Sequence, residues 1–384
     1  MKRSLVLIFL AVLLAACSTP GTVTSAPPPD TPTPTRPVDV PASQEPAPPE
    51  PEVTPSSEVP PTPIPPEEPA QAEEIRFQSW ELVTALAWST DGELLAAAAG
   101  NQIYVIEPDT LEPLAQLPVG ALSPSLSFHP QDRLLAAAAR DGRVRIWNLS
   151  SPEKAGEPDV TLDAHKKGAN VVAFSHAGDQ LATGGNDAVV RIWDLQTRER
   201  LAEIIGGTFS VPDLVYQPDG NILGIINGAL LRWREPVSGR MLGAYQSPTG
   251  EDVPFYSAAL SPDGSTLAMG DHQNRIWIWD LTVGLGDKPE KTPQPQIWQI
   301  PAKTTGSAAL VWDLAFSPSG ELLASSSGDG KVRLWDARQG ELLEEISAHS
   351  LAATSLAFRP DGAVLASGGL DGAVRLWQID PEGR

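Results

Sequence analysis

The chain has 384 residues, 48 acidic and 27 basic side chains, a formal net charge of −21 and 41% hydrophobic residues. So acidic a balance argues against nucleic-acid binding, which needs a basic face, and against electrostatic adhesion to anionic lipids. The single cysteine excludes an intrachain disulfide and any cysteine-based metal cluster.

Residues 1–16, "MKRSLVLIFLAVLLAA", place two cations before an apolar run too short to remain a membrane-spanning helix. The run closes in "LAAC", Leu14 to Cys17, so the only thiol follows small residues. This segment resembles the lipobox of bacterial lipoproteins. The resemblance implies cleavage after residue 16, a diacylglyceryl thioether on Cys17 and acylation of the new amine, with palmitate as the fatty acid. A plain secretory signal with an incidental cysteine is the alternative. Several acyl chains would anchor the protein stably, at ~0.8 kcal/mol per buried methylene. The expected location is a bacterial cell envelope, lipid-anchored and extracytoplasmic.

Residues 17–73 are expected to be a lipid-attached, disordered linker. The stretch Thr19–Ala70 holds 19 of the 39 prolines and no aromatic residue. Such a composition buries too little apolar surface to repay ordering entropy. Polyproline-like geometry, at about 3.1 Å per residue, gives a contour above roughly 150 Å. Ten acidic residues against Arg36 between Ser18 and Glu74 stretch it further by self-repulsion.

Residues 74–384 repeat. The segments "NQIYVIE", "GRVRIWN", "AVVRIWD", "GALLRWR", "NRIWIWD", "GKVRLWD" and "GAVRLWQ" set a landmark at Ile106, Trp147, Trp193, Trp233, Trp279, Trp335 and Trp377. The spacings are 41, 46, 40, 46, 56 and 42 residues, each unit carrying alternating apolar runs and Gly-containing turns. That period is the pattern of four-stranded propeller blades. The sequence resembles the WD40 repeat family, which implies an all-β, seven-bladed propeller. The last repeat supplies strands near 354–358, 363–367 and 373–378, so "EIRFQ" at 74–78 is expected to complete its sheet and close the ring, leaving no open edge.

His165, Thr183 and Asp187 precede Trp193 by 28, 10 and 6 residues, and His349, Ser367 and Asp371 precede Trp377 by the same offsets. A hydrolytic triad is needed once, whereas these recur. The family resemblance assigns both sets to a buried hydrogen-bond network that rigidifies a blade. Repeats 2, 5 and 6 lack parts of it, with Ala137, Met269 and Gln273, and Ser307 at network positions, and are expected to rely more on packing. No metalloprotease, nucleophile-elbow or phosphate-loop motif occurs. No catalytic residue, metal or cofactor is therefore expected.

In WD40 proteins the start of each inner strand lines the channel mouth on the top face. Those positions here are Thr84, Pro124, Asn170, Pro212, Tyr256, Trp312 and Thr354. Tyr256 with Phe255, Trp312 with Asp313, Asn170, Thr84 and Thr354 are the candidate contacts, beside the acidic loop 247–255. Aromatic anchors with a polar rim suit a peptide or a glycan; packing between blades is the competing role of Trp312 and Tyr256. Trp277 and Tyr104 are expected to pack between blades. The functional expectation is a monomeric, non-catalytic scaffold binding a protein or peptide on its top face. Carbohydrate or cell-wall binding is the alternative, followed by a propeller hydrolase suggested by Asp213 and Asp313.

Overall fold

A computed structural model describes residues 75–78, 81–246, 253–282, 294–301 and 310–380. Cys17, the linker and the loop 247–252 lie outside the described residues.

Alternating apolar runs separated by Gly turns fold into seven four-stranded antiparallel sheets, the blades. From the inside outwards, blade one holds Val83–Trp88, Leu95–Ala99, Gln102–Ile106 and Pro113–Pro118. Blade two holds Ser125–Phe128, Leu134–Ala138, Arg143–Asn148 and Val160–Asp163. Blade three holds Ala169–Phe174, Gln180–Gly185, Val189–Asp194 and Arg200–Ile205. Blade four holds Leu214–Tyr216, Leu223–Asn227, Leu230–Arg234 and Met241–Gln246. Blade five holds Phe255–Leu260, Thr266–Asp271, Arg275–Asp280 and Gln296–Gln299. Blade six holds Val311–Phe316, Leu322–Ser327, Val332–Asp336 and Leu342–Ile346.

Blade seven joins the two ends of the propeller. Its first three strands are Ala353–Phe358, Val364–Gly369 and Ala373–Gln378, and its outer strand is Ile75–Gln78. The register runs from Ile75 opposite Leu376 to Gln78 opposite Ala373. The ring therefore closes as the sequence predicts, one residue short of the expected 74–78. Each inner strand touches the inner strands of the two flanking blades all the way round.

The second strand of each blade is almost wholly buried, as in Leu95–Ala99 and Val364–Gly369. Small residues dominate there because sheets pack on both faces. Outer strands such as Arg200–Ile205 alternate between solvent and core. The turn between second and third strands repeats one backbone device five residues before the landmark of blades two to seven. Gly142, Gly228, Gly330 and Gly372 have φ of 88°, 64°, 84° and 78°, and Ala188 and Asn274 adopt 62° and 57° there. Because the strands are antiparallel, these turns and the inner-strand starts share one end of the ring, the top face.

Buried hydrogen-bond chains and the top face

In blade three, His165 Nδ1 lies 2.8 Å from Asp187 Oδ1 and His165 Nε2 lies 3.0 Å from Thr183 Oγ1. Trp193 Nε1 donates to the same hydroxyl at 3.1 Å. With the Nδ1 proton facing the carboxylate, the Thr183 hydroxyl donates to Nε2 while accepting from the indole, and Arg191 Nη1 also lies 2.9 Å from Nδ1. Blade seven repeats the chain through Asp371, His349, Ser367 and Trp377, each contact 2.9 Å. Arg191 and Arg375 add ion pairs to the two aspartates at 2.9 and 3.1 Å. Thr183 and Ser367 are 0% exposed, so neither hydroxyl can meet a substrate. The order of groups is that of a hydrolytic triad, but its position makes it a latch.

The charges follow. Burial pushes the Asp187 carboxyl up, yet the hydrogen bonds from His165 and Arg191 outweigh it and hold the carboxyl below its usual range. Burial likewise opposes, and the His349 hydrogen bond and charge overcome, for Asp371, held well below the carboxylate range. His165 titrates below an ordinary histidine, because burial outweighs the pull of Asp187.

The other blades improvise. Blade six, without the histidine, still joins Trp335 to Ser325 at 2.9 Å and Arg333 to Asp329 at 2.7 Å. In blade two Ala137 offers no hydroxyl, and Trp147 Nε1 donates instead to the Gly156 carbonyl at 2.9 Å. Blade five does not rely on packing alone. Asp271, fully buried, accepts from Trp277 Nε1 at 2.9 Å and pairs with Arg275 at 2.7 Å. The Arg275 guanidinium also sits 5.0 Å from the centre of the Trp277 ring. Sequence alignment missed this group because Asp271 precedes Trp279 by eight residues, not six. The indole nitrogens of Trp233 and Trp279 find no acceptor. Those rings are held by neighbours: Trp233 meets Tyr245 at 6.4 Å, Tyr245 meets Trp279 at 5.8 Å, and Phe255 meets Trp279 at 6.0 Å.

At the channel mouth, three candidate contacts are staples between blades. Thr84 Oγ1 donates to Ser123 O at 2.6 Å, Asn170 Nδ2 to Val211 O at 3.2 Å, and Thr354 Oγ1 to Val83 O at 2.8 Å. Each donor reaches the carbonyl just before the equivalent position of the next blade. One residue further in, side chains catch amides. Ser125 Oγ accepts from Val172 N at 3.2 Å, and Ser355 Oγ from Leu86 N at 3.0 Å. Asp213 and Asp313 do this twice each. Asp213 accepts from Leu214 N and Ala258 N, both at 2.8 Å, and Asp313 from Leu314 N at 2.9 Å and Leu356 N at 2.8 Å. Burial pushes the Asp213 carboxyl up to about 7 against the Ala258 and Leu214 hydrogen bonds, with the Asp313 charge adding to the rise. Burial pushes Asp313 up to about 6, against the hydrogen bonds it accepts. Asp313 thus belongs to the ring's internal framework. Among the described residues no three His, Cys, Asp or Glu side chains gather to hold a metal ion.

The aromatic candidates divide. Phe255 is 1% exposed and wedged edge-on against Trp277 and Trp279, so it is core and not a contact. Its alternating partner Tyr256 is half-buried and turned the other way, with its ring 6.4 Å from that of His272. Trp312 is also half-buried, its Nε1 enclosed without an acceptor. Tyr256 forms part of an apolar cavity of about 140 Å³ with Phe209, Ser210, Pro212, Gly228, Pro254 and Phe255. Phe209, 45% exposed, was missed from the sequence, although "GGTFSVP" places it just before an inner strand. Asn227 fixes that loop, accepting from Phe209 N and donating to Ser210 O at 3.2 Å. Trp277 is fully buried and Tyr104 half-buried.

The family described as WD domain, G-beta repeat matches residues 119–148, 156–194, 243–280, 298–336 and 340–378. With the seven closed sheets, the matches define a seven-bladed β-propeller carrying WD40 repeats. The chain is 27% identical over 217 residues to the serine-threonine kinase receptor-associated protein of Gallus gallus, covering 56% of this chain and 55% of that protein. It is 27% identical over 222 residues to target of rapamycin complex subunit LST8 of Bos taurus, covering 57% and 64%. Apoptotic protease-activating factor 1 of Danio rerio is 23% identical over 322 residues, 75% of this chain but 24% of its own. The chain thus spans a little over half of the first two relatives.

Proposed function

We propose that this chain is a non-catalytic, monomeric scaffold that captures a protein segment on its top face, held by a lipid on Cys17 outside the cytoplasm of a bacterial cell. The observation that carries the binding reading is the cavity between blades four and five, where Phe209, Pro212, Pro254 and Tyr256 leave apolar surface open beside the channel mouth. Aromatic and proline surfaces in a concave site suit an anchoring side chain from a partner. Two relatives bear names that denote association, a receptor-associated protein and a complex subunit, which agrees with a binding role. Trp312 and Tyr256 remain the aromatic contacts of this reading. The anchor rests on the sole cysteine following "LAA" after a short apolar run.

Photocrosslinking from position 210, which also lines the cavity, with Phe209 and Tyr256 intact or replaced as Phe209→Ala/Tyr256→Ala, tests the site in cells. Loss of a defined protein adduct in the folded double variant is the expected result. An unchanged adduct pattern would remove the cavity from the reading, and retention on a glycan array in place of protein adducts would favour carbohydrate. Labelling with a palmitate analogue, abolished by Cys17→Ala, tests the anchor.

A further inference from the structure

The molecule is strongly acidic, so cations without carboxylate partners are informative. Four lie at or near the top end of blades two to four. Arg140 occupies the turn between second and third strands of blade two, Lys166 and Lys167 precede the inner strand of blade three, and Arg232 is in the third strand of blade four. The lysines are exposed. Among the described residues none of the four has an ion-pair partner. Arg140 Nη1 donates to Asn170 Oδ1, and Arg232 Nη1 to the Gly206 carbonyl at 3.1 Å. Both are neutral acceptors. Burial pulls both guanidinium groups below the ordinary arginine range, as befits a charge lacking a counter-ion.

These groups are tied together and to the cavity. Gly168 has φ +103°, and a Cβ on it would lie 3.1 Å from the Arg140 carbonyl, so only glycine lets the lysine loop close on Arg140. Asn170 links Arg140 to Asn186 at 2.9 Å and to the Val211 carbonyl, and Asn186 returns to Lys167 O at 3.1 Å. Pro212, next in sequence to Val211, lines the cavity. Arg232 stands beside Gly207, next to the loop that carries Phe209. These contacts lead from the cations to the edge of the cavity, in a chain with a net charge of −21.

We infer that the top-face site recognises an acidic peptide segment, with an apolar side chain seated between Phe209, Pro212, Pro254 and Tyr256, and carboxylates paired with Arg140 and the Lys166–Lys167 loop. A carboxylate suits Arg140 because a guanidinium fork donates to it bidentately. The opposite charge also steers a segment toward a cationic part of an otherwise repelling surface. This inference rests on the capture of a protein segment proposed above and adds the chemistry of that segment.

A random decapeptide library displayed on phage, panned against the folded propeller-containing chain, supplies the probe. Enriched peptides should combine Asp or Glu with Leu, Ile or Pro. Their affinity, read by fluorescence anisotropy, should fall about tenfold or more with the exposed pair Lys166→Glu/Lys167→Glu, and less at about 0.3 M salt than at about 0.05 M. Arg140→Gln should remove the acidic preference while leaving apolar peptides bound. Neutral or basic peptides whose binding needs Tyr256 but ignores Lys166 and Lys167 would overturn the acidic assignment and leave segment capture standing. Failure of any peptide to enrich would overturn both.

Discussion

Replacing Asp213 by alanine should alter the pH dependence of stability more than stability itself. In the folded ring the Asp213 carboxyl titrates at about 7, against 3.8 for an ordinary aspartate. A group whose folded pKa is raised binds its proton more tightly when folded. Its contribution is therefore fully present below about pH 4 and is lost as pH rises toward 7. A shift of roughly three units corresponds to about 4 kcal/mol across that window, and Asp313, at about 6, adds a smaller loss in the same direction. The charge of Asp313 is part of the rise at Asp213, so that repulsion leaves with the side chain in the variant. Against this, Asp213→Ala strands the Leu214 and Ala258 amides, at about 1–3 kcal/mol each.

The two terms oppose each other with different pH dependence. At pH 5 the variant should be the less stable protein by a few kcal/mol, and by pH 8 the deficit should shrink to about zero or reverse. Urea unfolding followed by tryptophan fluorescence, at half-unit steps from pH 5 to 8, measures it. His165, with its lowered pKa, loses stability as pH falls below 6.5 in both proteins, so it cancels in the difference. Parallel midpoint curves for the two proteins would refute a raised, charge-coupled Asp213.

Three further outcomes follow from the blades. Ala188→Gly should stabilise the protein by about 0.5–1 kcal/mol, because φ of 62° strains an L-residue where four equivalent turns carry glycine; thermal unfolding reads it, and a lower melting temperature would contradict it. Ser367→Ala removes the acceptor of Trp377 Nε1 and the partner of His349 Nε2, and should cost about 2 kcal/mol or more in urea unfolding, with no such effect at Ser350, whose side chain is exposed. Asp371→Asn should flatten the acid limb below pH 4: a lowered folded pKa gives stability that is present above 3.8 and lost as pH falls, so the wild type should lose its advantage there.

Seven blades and their closure were legible because the landmark residues recur in one frame, and each is buried where the frame puts it. The chains through His165 and His349 were legible for the same reason, since identical offsets on identical strands bring identical groups together. Blade five shows where that stops. Its turn is the same length, with Asn274 taking the left-handed position, yet the acid moves from the turn to the end of the second strand. A spacing alignment records this as a gap, while the folded hairpin lets Asp271 meet Trp277 and Arg275. Face assignment was the second difficulty. Phe255 and Tyr256 are adjacent, so strand alternation sends one to the core and the other to the mouth. The pattern alone did not say which, because a bulge separates Phe255 from Ser257 in the pairing with the second strand. Phe209 lay on a loop outside the repeat signal, and Arg140 at a turn position whose residue type changes from blade to blade.

The same irregularity bears on why the cavity sits where it does. Blades three and seven carry complete polar latches, and blade six most of one. Blades four and five carry no such relay through the landmark indole: Trp233, Tyr245, Phe255 and Trp279 pack edge to face, Trp277 stacks on Trp279 while holding Asp271, and the two landmark indole nitrogens are unsatisfied. Dispersion contacts among rings tolerate small shifts better than a relay of directional hydrogen bonds. A binding surface that must admit an anchoring side chain is therefore better placed above the aromatic pair of blades than above a latched one. Hydrogen exchange offers a direct comparison. Amides of the second and third strands in blades four and five should exchange faster than their counterparts in blades three and seven, and a bound top-face ligand should narrow that gap. Equal protection in all four blades would mean that the latches do not set local rigidity, and that the cavity's position owes nothing to them.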